Sequence, residues 1–337
     1  MNETKSVEPL NQDAIQNSEN VDRLTKLPMC WSNLWISIPA LDFTELPSIT
    51  NWNTIVKRAQ YVRFRSYVNR VLLLSNAPCL NYVHVEAHSI FVARHVFEWM
   101  VAIGKRCVQQ LIFIAKHFRI DFPLRYLIFK EKLVVLKLEG FRLLLPSSFH
   151  FPCLQSLSLN RVSFENGHDD RLTSFISSCP FLEELNVGVY NFCEDSDSED
   201  HEEMNSVELE EMDIDKALYE VRICSTKTLV LYQVILDGSN AYVQLPIFEN
   251  LMHLEVGFTA WPIVLQIIMN APRLVSFIIH KACLMFGWPN INPSKKELPL
   301  ERIEYHGFDV DEDFEVIRYF LSNSALLRSS KFINVVG

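Results

Sequence analysis

Glycine is scarce: nine residues in 337, with neither G-x-G-x-x-G nor G-x-x-x-x-G-K anywhere in the chain. The glycine turns that hold dinucleotides and nucleoside triphosphates are therefore missing. Cysteine occurs eight times, singly, at Cys30, Cys79, Cys107, Cys153, Cys179, Cys193, Cys224 and Cys283. No C-x-x-C pair exists to grip zinc or run dithiol chemistry. Contexts such as "APCL", "FPCL" and "SCPFL" mark these thiols as small buried hydrophobes. There is no G-x-S-x-G elbow, and ten histidines without a paired nucleophile motif give no basis for a triad. The chain is expected to be no enzyme and to need no cofactor or metal. No apolar run reaches the roughly 18 residues of a membrane helix. The first twenty residues are polar and lack a secretory pattern. Residues 1–20 are expected to be disordered, and the place of action to be cytoplasm or nucleus.

Positive charge is also thin, yet the net charge of −10 misleads. Glu194 to Asp215 carries twelve acidic residues and no lysine or arginine, and the remainder comes to +2. A nearly neutral body argues against a broad nucleic-acid face and gives no sign of a membrane partner. The acidic run reads as a disordered, solvated loop. Within it Ser196, with Asp197 beside it and Glu199 three residues on, is a candidate for an acid-directed kinase.

What the chain has in quantity is a repeat. Triplets of the form L-x-x-L-x-L recur as "LNYVHV" from Leu80, "VQQLIF" from Val108, "LVVLKL" from Leu133, "LQSLSL" from Leu154 and "LEELNV" from Leu182. "TKTLVL" from Thr226, "LMHLEV" from Leu251, "LVSFII" from Leu274 and "LERIEY" from Leu300 follow. The steps are 28, 25, 21, 28, 44, 25, 23 and 26 residues. All but one fall in the leucine-rich-repeat window of roughly 20–29. Taking the 22-residue acidic run out of the long step leaves 22, so the run is an insertion in one loop.

The last two apolar positions of each triplet are two apart, which puts them on one face of a short strand. Leu157 and Leu159 are thus expected in the core. Asn76-Ala77-Pro78, Ser178-Cys179-Pro180 and Asn270-Ala271-Pro272 each end a helical stretch just before a strand. The predicted fold is α/β: a leucine-rich-repeat solenoid, or horseshoe, with parallel strands inside and helices outside. An ordinary α/β domain shares the alternation, but such folds usually carry the glycine turns that are missing here.

A series of ordered phrases resembles the plant F-box proteins with leucine-rich repeats and a carboxy-terminal FBD region. They are "VDRLTKLP", "WSNLWISIPALDF", "YVNRVLLLSNAPCL", "LVVLKLEGFRL", "FPCLQSLSLNRVSF", "SSCPFLEELNV" and "LPLERIEYHGFDVDEDFEVIRYFLSNSALLRSSKFI". The resemblance covers nearly everything from Val21 to Ile333. It implies a non-catalytic adaptor: F-box helices that grip the Skp1 subunit of an SCF-type ubiquitin ligase, and repeats that hold a target protein. It divides the chain into a box remnant at 21–43, repeats at 44–294 with the insertion at 194–215, and an FBD-like region at 295–337. Leu27-Pro28 resembles the start of the box; Trp31, Leu34 and Trp35 resemble its last helix. Only Met29 and Cys30 stand between them. With the middle helices gone, the small helical N-terminal remnant is expected to bind Skp1 weakly or not at all. Trp31 and Trp35 are expected instead to cap the first repeat.

The candidate partner-binding residues are those on repeat strands that face away from the core. They are Tyr82, His84 and Glu86; Lys137 and Glu139; Ser156, Ser158 and Asn160; Glu184 and Asn186; Tyr232; His253 and Glu255; His280; Arg302, Glu304 and His306. Mixed charge with histidine and tyrosine suits an unknown target protein better than a phosphate backbone. His84, Glu86 and His88 alternate as metal ligands do, but read better as exposed strand residues. "KHFRIDFPLRYLIFK", Lys116 to Lys130, mixes basic and aromatic residues and reads as a solvated edge rather than a single-strand binder. Asn160 can instead serve the repeat turn.

Overall fold

The structure is a computed structural model that describes residues 37–45, 54–89, 92–116, 120–127, 131–146, 148–164, 171–188, 223, 225–232, 245–257, 261–281, 297–307 and 310–333. Residues 1–20, the box residues Leu27, Pro28, Trp31, Leu34 and Trp35, the run 194–215 and Ser196 lie outside them. The fold is mixed α/β, in two compact units, Met1–His117 and Phe118–Gly337.

In the first unit, β1 (Ala40–Thr44), α1 (Thr54–Leu74), β2 (Cys79–Ala87), α2 (Ala93–Gly104) and β3 (Cys107–Ala115) follow in order. The strands are parallel, β2 between β1 and β3. Leu41 to Phe43, grouped in sequence with the exit of the box, thus belong to a repeat strand. α1 forms because Tyr61, Phe64, Val68, Val71 and Leu72 fall on one stripe, and all five are buried. It stops ahead of Asn76-Ala77-Pro78, and Arg106 closes its end. Nη2 of Arg106 donates to the carbonyls of Leu72 at 2.7 Å and Ser75 at 2.9 Å, satisfying acceptors that the helix leaves open. Trp99 of α2 packs edge-on against Phe64 at 5.9 Å and donates to Asn69 Oδ1 at 2.7 Å.

The second unit runs β4 (Ile120–Phe122), β5 (Val135–Glu139), β6 (Phe141–Leu143), β7 (Ser156–Asn160), β8 (Ser163–Phe164), α3 (Arg171–Ser177), β9 (Glu184–Gly188) and β10 (Thr228–Tyr232). It continues with β11 (His253–Gly257), α4 (Trp261–Met269), β12 (Ser276–His280), β13 (Arg302–His306), α5 (Val310–Asn323) and β14 (Ser329–Ile333). Among the described residues, β5, β7 and β9 to β14 form a parallel sheet in that order. β9 and β10 pair directly, Glu184 opposite Thr228, although 44 residues separate them in sequence.

Burial follows the repeat. In all nine triplets the last two apolar residues, from Val83 and Val85 to Ile303 and Tyr305, are no more than 2% exposed. Thr226, at a leucine position, is buried too, and its hydroxyl donates to the Ile223 carbonyl at 2.7 Å. A backbone signature accompanies the pattern: one carbonyl accepts two successive amides of the next repeat. Gln155 serves Glu183 and Glu184, Glu183 serves Lys227 and Thr228, and Lys227 serves Met252 and His253.

Two expectations need correction. Helices are not the rule between the strands: β4, β6 and β8 form a small parallel sheet, and of the three connections that hold them only the one with β8 goes on to an α-helix, α3. Ile120, Phe122, Phe141, Leu143 and Phe164 are buried there at alternating positions, and the 21-residue step from Leu133 to Leu154 leaves little chain for a helix. The cysteines are not uniformly buried: of the four described, Cys179 is, Cys79 and Cys107 are half-buried, and Cys153 is exposed.

Candidate functional site

Because side chains alternate along a strand, the triplet that sends two residues into the core sends those between them to the open face. Parallel register aligns these into rows across the second unit. The middle row reads Lys137, Ser158, Asn186, Val230, Glu255, Ile278, Glu304 and Lys331. The row on its carboxy-terminal side reads Glu139, Asn160, Gly188, Tyr232, Gly257, His280, His306 and Ile333. On the other side lie Ser156, Glu184, Thr228, His253, Ser276 and Arg302. Every candidate of this unit stands on one face. They differ in exposure: Lys137, Glu184, His253 and Arg302 are exposed, whereas Ser158 is buried at 7%.

At β10 to β13 the face becomes one connected cluster. The Tyr232 hydroxyl donates to Glu255, whose Oε1 is also 2.9 Å from His280 Nε2. The His280 and His306 rings stack at 4.6 Å with 16° between planes, and Tyr232 lies 5.3 Å from His280. His306 Nε2 is 3.4 Å from Glu304, which accepts from Arg302 Nη2 at 2.6 Å. The hydrogen bond from His280 holds the Glu255 carboxyl below its usual range, against burial, and Tyr232 adds to it. Arg302 chiefly does the same for Glu304.

Sequence reasoning missed the residue that makes room for this cluster. A Cβ on Gly257 would fall 2.8 Å from Tyr232 Cδ1, so the missing side chain is what lets the tyrosine ring lie across β11. Gly188 gives way in the same fashion to Asn160, whose Oδ1 would be 2.8 Å away. A glycine at the fifth strand position of "LEELNVG" and "LMHLEVG" was the available signal. Val230 and Ile278, the apolar members of the middle row, were also passed over.

The first unit has a smaller open face. His84 Nδ1 is 2.8 Å from Asp42 Oδ1, Tyr82 is next to His84, and Glu86 lies 3.4 Å from His88 and 3.5 Å from Lys116. His84 is thus engaged with Asp42, whereas Glu86 and His88 pair with each other. Among the described residues no group of three potential ligands is placed to hold a metal. Glu45, 5% exposed, accepts the amides of His88 at 2.8 Å and Ser89 at 2.9 Å, and burial raises its pKa.

The sequence model of the leucine-rich repeats of FBD-associated F-box protein At5g56370 matches residues 96–277 of this chain. F-box/FBD/LRR-repeat protein At4g26340 of Arabidopsis thaliana is 26% identical over 90% of this chain and 84% of its own length. FBD-associated F-box protein At5g56370, from the same plant, is 24% identical over 90% of this chain and 82% of its own. A putative F-box/FBD/LRR-repeat protein, At5g25850, is 29% identical over 47% of this chain, where the match spans only 31% of the relative.

Proposed function

This chain belongs to the leucine-rich-repeat family of FBD-associated F-box proteins, and from that premise we propose that it is a non-catalytic adaptor that binds a target protein. The observation that carries the reading is the cluster of Tyr232, Glu255, His280, His306, Glu304 and Arg302 on the open face of the repeat strands. It offers stacked rings, a phenol and charges of both signs over four adjacent strands. Tyrosine and arginine are the residues on which protein interfaces most often concentrate their binding energy. Internal hydrogen bonds hold the side chains in place, so less rotamer freedom is lost when a partner arrives. The strands are read as the inner surface of a leucine-rich-repeat solenoid that acts in cytoplasm or nucleus. The link to an SCF-type ligase is read as weakened, because only Met29 and Cys30 stand in the sequence between the phrases that resemble the two ends of the box.

The test compares proteins retained from plant extract by the chain and by its Tyr232→Ala/His280→Ala/His306→Ala variant, after circular dichroism shows both folded. At least one protein should be retained by the first and lost from the second. Identical retained sets would contradict the reading.

A further inference from the structure

Away from the sheet faces, the first unit holds a cleft of about 190 Å³ lined by Arg58, Tyr61, Val62, Arg65, Arg94 and His95. The first four stand at i, i+3, i+4 and i+7 of α1 and so share one face of it. Arg94 and His95 belong to the first turn of α2. That turn contains no acidic residue, and Val92 at its N-cap supplies no side-chain acceptor. The positive end of the helix dipole therefore adds to the arginines rather than opposing them.

Local carboxylates do little to neutralise this charge. Glu98 Oε2 lies 3.3 Å from His95 Nδ1, and Glu45 and Glu98 both act on the Tyr61 phenol. Among the described residues no carboxylate pairs with Arg58 or Arg94. Arg65 Nη1 is 3.5 Å from His95 Nε2, and the His95 ring stacks on Tyr61 at 5.9 Å. Among the described residues two arginines are thus without a carboxylate partner, beside a third in contact with His95.

We propose that this cleft binds the phosphoryl group of a small soluble phosphate monoester. Guanidinium forks match phosphate oxygens two at a time, and a dianion relieves the mutual repulsion of the arginines that line the cleft. A cavity of roughly 150 Å³ already accommodates a benzene-sized ligand, so there is room for the phosphoryl group and the start of its ester.

The test is thermal melting of the full chain with glycerol 2-phosphate, against sodium sulfate at equal ionic strength. The ester should raise Tm saturably and more than sulfate does. In the Arg58→Gln/Arg94→Gln variant the half-maximal concentration should rise roughly tenfold or more. Both positions are exposed, so the unliganded melt should not fall; if it does, Arg94→Gln alone must still weaken the response. No saturable shift, or the same shift in wild type and variant, overturns the proposal. A second arm sediments the chain with phosphatidylcholine vesicles containing phosphatidic acid. Pelleting that excess glycerol 2-phosphate leaves unchanged assigns the arginines to a lipid headgroup and also overturns it. Release by the ester supports it.

Discussion

Leu157 is 1% exposed and its partner Leu159 is fully buried, while Ser158 between them lies on the open face beside Lys137 and Asn186. Leu157→Ala should cost about 2–5 kcal/mol in urea unfolding, from lost burial and the cavity left behind. The two leucines were legible because a period of two assigns faces without knowledge of neighbours. The burial of Ser158 was not, because it depends on which side chains register brings alongside. Glu255 gives a residue-scale prediction with a pH sign. Its carboxyl is held below the ordinary range, so its contribution is present above about pH 4.3 and lost as pH falls through that value and below. Glu255→Gln should therefore be less stable than wild type at neutral pH, with the gap closing as the medium is acidified. Urea midpoints at both ends of that range check it, and a gap that widens in acid would contradict the assigned hydrogen bonds.

At the scale of elements, the proline stops did the most work. α1, α3 and α4 end at Leu74, Ser177 and Met269, just before the three stop phrases. The strands follow because each triplet needs only local alternation. The small sheet of β4, β6 and β8 was hidden: three-residue and two-residue strands are too short to carry a period, and their pairing spans repeats. The direct pairing of β9 with β10 bears on the acidic run between them. Excision of Glu194 to Asp215 should leave that pairing in place, and Tm should stay within about 2–4 °C of wild type, the shift that roughly 1 kcal/mol produces in a domain of this size. Loss of the cooperative transition would show that the run is part of the structure.

For the whole molecule, the family sets the expectation of an adaptor, and the box remnant limits it. A stable interface takes roughly 800 Å² from each partner around a few buried anchors, and the sequence from Asp22 to Phe43, where only Met29 and Cys30 stand between Leu27-Pro28 and Trp31, is read as a box without the middle stretch that would supply most of them. Calorimetry of the full chain with Skp1 should give no binding tighter than micromolar; sub-micromolar binding would restore the ligase link.

Whether the open strand face receives a protein is decided by site-specific photo-crosslinking in plant extract. A photoreactive phenylalanine analogue is placed at His253, exposed on that face, or at Phe314 of α5, 58% exposed. A discrete protein adduct is expected from position 253 that disappears when Tyr232→Ala and His280→Ala are added, with no matching adduct from position 314. An adduct from 314 alone, or one from 253 that survives both substitutions, would contradict protein binding at that face.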